Sequence, residues 1–296
     1  MSHAGHMLQF ADPAELSTAI ERTGYLPDEG IAAAAYLALR MHRPLFLEGD
    51  AGVGKTALGQ ALAEATGSRL IRLQCYEGID ASQALYDWDF PRQILHLRAA
   101  EAAGVKDSAE LERSLYDRRF LVRRPILQAI EQSPAVLLID EIDRADDEFE
   151  AFLLEALADN AVTVPELGTI HAVTPPLVVL TSNRTREVHD ALKRRCLYHW
   201  VAHPSFEREV AIIRRRLPQV SERLARDVAR ATGRLRQADL LKPPGVAESL
   251  DWAEALHLLG ARTLDREHAA ASLGAVLKYH EDAERIRDAV LAELIA

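Results

Sequence analysis

The stretch LEGDAGVGKTALGQ, residues 47–60, decides the fold, because a cluster of small residues here separates an apolar run from a helical one. Gly49 to Thr56 fit the pattern G-x-x-x-x-G-K-[ST], with Gly52 as an extra glycine. A loop of this kind wraps a phosphate with its own N–H groups, so side chains must stay out of the way. The helix that begins near Lys55 directs the positive end of its dipole at the same anion. The predicted phosphate-binding residues are Gly49, Asp50, Ala51, Gly52, Val53, Gly54, Lys55, Thr56 and Ala57.

The sequence on either side of this loop favours a phosphate site over a chance glycine turn. The apolar run PLFLEG before the loop is typical of a buried strand, and KTALGQALAEATG after it has helical spacing. The pattern carries weight only where a strand precedes it and a helix follows, and both are predicted here. We therefore expect Lys55 to neutralise the β- and γ-phosphates of a nucleotide, and the Thr56 hydroxyl to take one position on Mg²⁺.

A second candidate site lies in VLLIDEID, where an apolar run ends in Asp140, Glu141 and Asp143. Neighbouring carboxylates at the end of a buried strand repel one another and lose hydration, and a bound divalent cation relieves both problems. Asp140 is predicted to hold Mg²⁺, and Glu141 to polarise an attacking water as general base. The alternative is a strand end that runs into an acidic, solvated helix start.

Two further polar groups follow later strands. The run LVVLTSN ends in Asn183, which is either a turn residue or a group that orients water. The segment DALKRRC then places Arg194 and Arg195 before the last predicted strand. Such a cluster is either a solvated basic face or the source of an arginine supplied across a subunit boundary to the γ-phosphate.

The order of the elements predicts an α/β body followed by a helical region. Strands alternate with helices as far as LYHWV, which implies a mostly parallel sheet covered by helices, and after Pro204 only helical periodicity remains. The predicted divisions are an N-terminal segment 1–23, partly disordered, a body 24–203 and a helical domain 204–296. The body contains an irregular insert at about 77–125 and a hairpin at about 161–172.

Composition excludes several classes of protein. The chain has 296 residues and a net charge of −10, which argues against a dedicated nucleic-acid binder. No apolar run approaches the length of a membrane span, and the start has no secretory signal pattern. Only Cys75 and Cys196 are present, so we expect a reducing, cytoplasmic location rather than a disulfide framework.

Taken together, these motifs resemble those of the AAA+ ATPases. GDAGVGKT is similar to their Walker A loop, VLLIDE to their Walker B strand, and VVLTSN to their sensor-1 strand with Asn183 as the sensor. LKRRC falls where the arginine finger sits, and the helical tail resembles the lid. The insert and the hairpin resemble the MoxR family. The strings RLQCYEGID, LIDEIDRADDEFEAFLLE, LTSNRTRE and DALKRRCLYHW look most like its CoxD-like branch.

This resemblance implies a three-layer P-loop AAA+ body with a parallel sheet, an all-helical lid, and ATP as the nucleotide. It implies a homo-oligomeric ring, a hexamer, with a von Willebrand A domain partner. It also implies a chaperone role in maturing a metalloenzyme, of the molybdenum- and copper-containing carbon monoxide dehydrogenase type. Motif position favours Arg195 as the finger, with Arg194 as the second candidate. One departure is that PGVAESLDW, at the place of the sensor-2 motif, contains no arginine.

Other functions fit the sequence less well. A GTPase would usually carry an N-K-x-D motif, which is absent, and a small-molecule kinase would not need both Glu141 and Asn183. A nucleotide-sensing scaffold would be favoured by loss of the catalytic carboxylate, but Glu141 is present. The acidic net charge disfavours a nucleic-acid motor.

Overall fold

The computed structural model describes residues 10–104, 108–158 and 160–286, and these divide into two compact units. The α/β unit contains residues 10–23, 27–48 and 59–199 within these limits. The helical unit contains residues 24–26, 49–58 and 200–286. Residues 1–9 of the predicted N-terminal segment and 287–296 of the predicted helical domain lie outside the described residues.

Strands and helices alternate through the first two thirds of the chain, and helices alone follow. The strands are β1 (Leu45–Glu48), β2 (Arg69–Gln74), β3 (Tyr86–Trp88), β4 (Leu121–Arg123), β5 (Ala135–Asp140), β6 (Ala161–Val164), β7 (Gly168–His171), β8 (Leu177–Ser182) and β9 (Leu197–Trp200). The helices are α1 (Pro13–Arg22), α2 (Glu29–Met41), α3 (Lys55–Ala65), α4 (Ala81–Ala84), α5 (Phe90–Ala102), α6 (Ser108–Leu115), α7 (Pro125–Glu131), α8 (Asp147–Ala158), α9 (Asp190–Arg195), α10 (Phe206–Arg216), α11 (Glu222–Gln237), α12 (Val246–Leu258), α13 (Arg266–Val276) and α14 (His280–Arg285).

The α/β unit is built on a five-stranded sheet with the order β2-β5-β8-β1-β9. The pairs β2–β5, β5–β8 and β8–β1 are parallel. Every residue of β1, β5 and β8 is buried, as expected for strands covered by helices on both faces. The predicted fold class, a parallel α/β sheet followed by a helical region, is confirmed.

The register of the sheet brings the polar strand ends to one edge. Gln74 at the end of β2 pairs with Asp140 at the end of β5, and Glu48 at the end of β1 pairs with Ser182 at the end of β8. Because the strands run in parallel, all four residues lie at the carboxyl edge of the sheet, where α/β proteins usually bind ligands. The chain continues from Glu48 directly into the glycine loop.

Apolar side chains from the central strands and from α7 and α8 form the core of the α/β unit. The fully buried members Leu137, Ile139 and Leu180 come from the sheet, and Leu127 and Leu153 come from the two helices. Around this core, β3 and β4 form a small antiparallel pair, and β6 and β7 form an antiparallel hairpin. These two pairs lie within the stretches predicted as an insert and a hairpin.

The helical unit has a separate core around Trp252, Val228 and Leu256. The indole nitrogen of Trp252 donates a hydrogen bond to Oγ of Ser272 across 2.8 Å, which satisfies its buried polar atom. Ser221 caps the start of α11 by accepting a hydrogen bond from the amide of Leu224. None of the helices in the described ranges combines the length and the apolar character that crossing a bilayer requires.

Candidate active site

The glycine loop is an open turn whose conformation depends on glycine. Gly52 and Gly54 have φ values of 77° and 99°, in the region that side chains with a Cβ rarely adopt. Successive amides in such a turn form a concave anion-binding nest. Lys55 is 5% exposed, and its Nζ donates to the carbonyl oxygens of Gly49 and Asp50, both at 2.7 Å. The residues therefore fit a phosphate, because a buried ammonium and a nest of amides belong to the same loop.

The first turn of α12 contacts this loop through main-chain atoms. The amides of Val246 and Ala247 donate to the carbonyl of Gly52, at 2.9 and 3.3 Å. A Cβ on Gly245 would lie 2.6 Å from the carbonyl oxygen of Ala51, so only glycine fits there. The segment that lacks the sensor-2 arginine thus contacts the loop through its backbone. The carboxylate of Glu248 also lies close to the loop, since a Cβ on Gly52 would be 2.9 Å from its Oε2.

Two pairs of ionisable side chains in the helical unit, His203 with Asp50 and Arg236 with Glu209, lie close to one another. His203 places Nε2 3.2 Å from Oδ2 of Asp50. Arg236 forms a bidentate salt bridge with Glu209, with its Nη1 2.7 Å from Oε2 and its Nη2 2.6 Å from Oε1. The hydroxyl of Ser249 donates to the same carboxylate. Burial lowers the pKa of His203 below its ordinary value, and the positive charge of Arg236 lowers it further. The neutral imidazole is therefore the favoured form.

Asp140 ends β5 as a buried carboxylate with 2% of its surface exposed. The hydroxyl of Thr181, on the neighbouring β8, donates to Oδ1 across 2.5 Å. Nη2 of Arg72, on β2, donates to Oδ2 across 2.5 Å. A carboxylate this deeply buried requires a positive charge beside it, which Arg72 supplies here. Carboxylate oxygens are also the ligands that a divalent cation such as Mg²⁺ takes, so the residue fits such a cation.

Glu141 follows Asp140 in a left-handed conformation, with φ 56° and ψ 50°. This conformation is costly for a residue with a Cβ, and such strain is often found at functional positions. The amide of Glu141 donates to the Thr181 hydroxyl, which holds the bend. Nε2 of Gln74 and Nε of Arg144 each lie 3.1 Å from Oε2 of Glu141, and Nδ2 of Asn183 lies 3.5 Å from Oε1.

Asp143, the third carboxylate of the motif, organises the loop that follows β8. It accepts hydrogen bonds from the amide of Asn183 at 3.2 Å and from the amide and hydroxyl of Thr185 at 2.8 and 2.7 Å. This fixes the position from which the Asn183 amide group reaches toward Glu141. The α/β unit therefore brings together Asp140, Glu141 and Asn183, while Lys55 and Thr56 belong to the helical unit.

Arg194 and Arg195, the two candidate finger residues, have different surroundings at the end of α9. Nη1 of Arg195 donates to the carbonyl of Leu154 across 2.6 Å, which ties α9 to α8. Arg194 has a side chain that is 83% exposed, with Asp190 at 3.8 Å. Arg43 donates to the carbonyls of both residues, at 2.8 and 3.1 Å, and so fixes the end of the helix.

Sequence reasoning missed Thr181, Arg72 and Gln74, which contact the two predicted catalytic carboxylates. All three lie on strands that neighbour β5, at or next to the carboxyl edge. Nothing in their local sequence distinguishes them from ordinary strand residues. The signal that could have found them is the strand register, because it decides which side chains lie beside Asp140.

Comparison with known proteins gives one family match, to the AAA domain of the dynein-related subfamily. It covers residues 44–196, slightly more than half of the chain. A 48-residue segment is 52% identical to Midasin of Giardia intestinalis; it makes up 16% of this chain and spans only 1% of the length of that protein.

Solved structures similar to this chain include the RuvB Holliday junction branch migration motor of Thermotoga maritima. That likeness has a TM-score of 0.45 and 16% identity, over 94% of this chain and 75% of that one. A mutant of the same RuvB gives a TM-score of 0.47 and 15% identity, over 94% of this chain and 74% of that one.

Proposed function

The chain belongs to the dynein-related subfamily of AAA domains, and on this premise we propose that it hydrolyses ATP to remodel a protein client. The observation that carries the proposal is the arrangement around Glu141. A carboxylate in a strained, left-handed conformation follows the buried Asp140, and the Asn183 amide reaches toward it. Such a combination suits activation of a water for attack on a phosphate.

Each residue has a proposed role in this reaction. The amides of the glycine loop and Lys55 bind the phosphates of ATP, with Lys55 exchanging its carbonyl partners for phosphate oxygens. Thr56 and Asp140 hold Mg²⁺, which when bound offsets the negative charge of the phosphates. Glu141 accepts a proton from the attacking water, and Asn183 orients that water. The water oxygen bonds to the γ-phosphorus as the bond from that phosphorus to the β,γ-bridging oxygen breaks, so ADP is the leaving group. ADP and phosphate then dissociate, and Glu141 returns its proton to water.

We propose that the active form is a homo-oligomeric ring, a hexamer, in which a neighbouring subunit supplies the arginine finger. Arg195 is the first candidate for this role and Arg194 the second. The resemblance of the motifs supports a MoxR-type chaperone of the CoxD-like branch. On that basis we propose a cytoplasmic location, a von Willebrand A domain partner and no nucleic-acid ligand. The proposed client is a metalloenzyme of the molybdenum and copper type; the alternative is a protein complex without a metal centre.

The test of the proposal is the Glu141→Gln variant. We expect it to bind ATP as tightly as the parent and to lose turnover by about 10²–10⁴-fold, the usual contribution of a general base. Glu148→Gln removes an exposed carboxylate from the nearby α8 and serves as the matched control. Phosphate release and calorimetric titration with ATP measure the two quantities. Turnover within tenfold of the parent would show that Glu141 is not the base.

Two further measurements separate this proposal from a nucleotide-sensing scaffold. Lys55→Ala should weaken nucleotide binding, and an unchanged affinity would contradict the assignment of the loop. A parent protein that binds ATP without any turnover would be a scaffold. ATP-loaded Glu141→Gln protein, used as bait, should retain the client, and identification of a molybdenum hydroxylase subunit or a von Willebrand A domain protein would support the MoxR assignment.

A further inference from the structure

The guanidinium of Arg72 contacts Oδ2 of Asp140, the carboxylate proposed to hold Mg²⁺. Nη2 of Arg72 lies 2.5 Å from Oδ2 of Asp140 and 2.6 Å from Oε1 of Gln74, so one nitrogen contacts both side chains. Arg72 and Gln74 project from the same face of β2, because they are two residues apart in a strand. The side chain of Arg72 is 48% exposed, whereas that of Asp140 is 2% exposed.

The contact extends from Arg72 to Glu141. Arg72 holds the oxygen of the Gln74 amide, which turns the amide nitrogen toward Oε2 of Glu141 at 3.1 Å. Asp140, Arg72, Gln74 and Glu141 therefore form a continuous chain of polar contacts. This chain links the proposed metal-binding carboxylate to the proposed general base along a path separate from Thr181. A change at one end of such a network alters the geometry at the other.

We propose that Arg72 is a positioning residue that neutralises Asp140 until Mg²⁺ binds, and that its displacement then loosens Gln74 from Glu141. This inference rests on the proposed function, because it assumes that Asp140 takes part in holding the metal. A guanidinium stays charged at every physiological pH, so Arg72 cannot become neutral by losing a proton. It must therefore move away from Asp140 when Mg²⁺ binds. Its half-exposed position allows that movement into water at little cost.

The consequence is a coupling between metal binding and the state of the base. Mg²⁺ must compete with Arg72 for Asp140, so Arg72 lowers the affinity of the site for the metal. Once Arg72 leaves, Gln74 loses the group that orients its amide, and Oε2 of Glu141 keeps the contact with Arg144. Glu141 is thus paired with Gln74 while the metal is absent and loses this partner after the metal arrives.

The test is a titration of Mn²⁺ into protein that carries an equimolar non-hydrolysable ATP analogue, with unbound Mn²⁺ followed by electron paramagnetic resonance. Arg72→Gln should bind Mn²⁺ about tenfold more tightly than the parent, the low end of the effect of losing one charge-assisted contact, because the Arg72 side chain is half-exposed. Arg72→Lys keeps the charge and should bind like the parent. Arg69→Gln removes the same charge from the opposite face of β2 and should also change nothing.

Equal Mn²⁺ affinities for the parent and Arg72→Gln would overturn the inference, and so would an equal gain in Arg69→Gln. Arg72→Met, which keeps the apolar stem, replaces Arg72→Gln if that variant does not fold. Failure of the proposed function is distinguishable, since the parent would then either bind no nucleotide or bind ATP without turnover, and neither result depends on Arg72. If the parent binds nucleotide and Mn²⁺ but Arg72→Gln shows no gain in Mn²⁺ affinity, the role proposed for Arg72 is wrong and the proposed function is unaffected.

Discussion

Thr181 donates its hydroxyl hydrogen to Oδ1 of Asp140 across 2.5 Å, so β8 fixes the carboxylate that ends β5. The same hydroxyl oxygen accepts a hydrogen bond from the amide of Glu141 at 3.0 Å. One buried side chain thus holds the metal-binding candidate and the bend that places the candidate base. The arrangement depends on the two strands lying side by side in the sheet.

We expect Thr181→Val to lower both stability and turnover. The substitution keeps the shape of the side chain but removes the hydroxyl from the buried Oδ1 of Asp140 and from the half-buried amide of Glu141, which costs about 1–3 kcal/mol of unfolding free energy. A loss of about 1.4 kcal/mol in positioning would lower the hydrolysis rate about tenfold. Urea unfolding and phosphate release measure the two effects. Thr181→Ser retains the hydroxyl and is the control; if Val and Ser behave alike, the hydroxyl has no such role.

The approach of α12 to the glycine loop makes Gly245 sensitive to substitution. In Gly245→Ala the new Cβ would lie 2.6 Å from the carbonyl of Ala51 and 2.8 Å from Cα of Gly52, and neither backbone atom can rotate away. We expect a loss of about 1–3 kcal/mol in stability, as in other overpacked sites, together with weaker nucleotide binding.

Gly233→Ala is the matched control for Gly245→Ala. Gly233 lies inside α11, and a Cβ there would meet nothing within 4 Å. This variant should be more stable than the parent by about 0.5–1 kcal/mol, because alanine loses less backbone entropy in a helix. If Gly245→Ala raised the unfolding midpoint, as Gly233→Ala is expected to do, the contact between α12 and the loop would be unimportant for stability.

His203 should make stability depend on pH. Burial, together with Arg236, lowers its pKa below the ordinary value of 6.5, while Asp50 and Glu209 act in the opposite direction. As the pH falls through about 6.5 the unfolded chain therefore takes up a proton first, and the free energy of unfolding decreases. The contribution to stability is fully present above that pH. It decreases as the pH falls further, and the decrease stops once the folded state also binds the proton.

His203→Gln should remove this component of the pH dependence, measured by urea unfolding between about pH 8 and pH 5. His280→Gln replaces an exposed histidine of the same unit and should keep the slope of the parent. Parallel slopes for the parent and His203→Gln would assign the pH dependence to other groups.

The two finger candidates can be separated by mixing subunits. Arg195→Ala should bind ATP and lose hydrolysis, and mixing it with Glu141→Gln subunits should restore part of the activity, since each variant can complete a different site. Loss of the Leu154 contact should also lower its stability by about 0.5–1.5 kcal/mol. Arg194→Ala, at the exposed neighbour, should leave stability unchanged within about 0.5 kcal/mol.

Ring assembly is part of this prediction. Absence of rescue at every mixing ratio would argue against an arginine acting between subunits. Arg194 would be the finger residue if Arg195→Ala kept full hydrolysis and if mixing with Glu141→Gln subunits restored hydrolysis to Arg194→Ala.

Local sequence patterns determined the fold class and the nature of the candidate site. The glycine spacing before Lys55 and the apolar run that ends at Asp140 are both local features, because buried strands and phosphate loops require particular residues at consecutive positions. A parallel sheet then brings strand ends to one edge whatever the order of its strands. The roles of Lys55, Glu141 and Asn183 followed from this reasoning, and they stay predictions.

Only the tertiary structure decided which side chains surround the carboxylates. Arg72 and Thr181 lie 68 and 41 residues from Asp140 along the chain, and their contacts exist because β2 and β8 flank β5 in a particular register. Register depends on the packing of all strands and helices at once, so no local pattern encodes it. The left-handed bend at Glu141 likewise needs the Thr181 hydroxyl to hold it, and that partner comes from another strand.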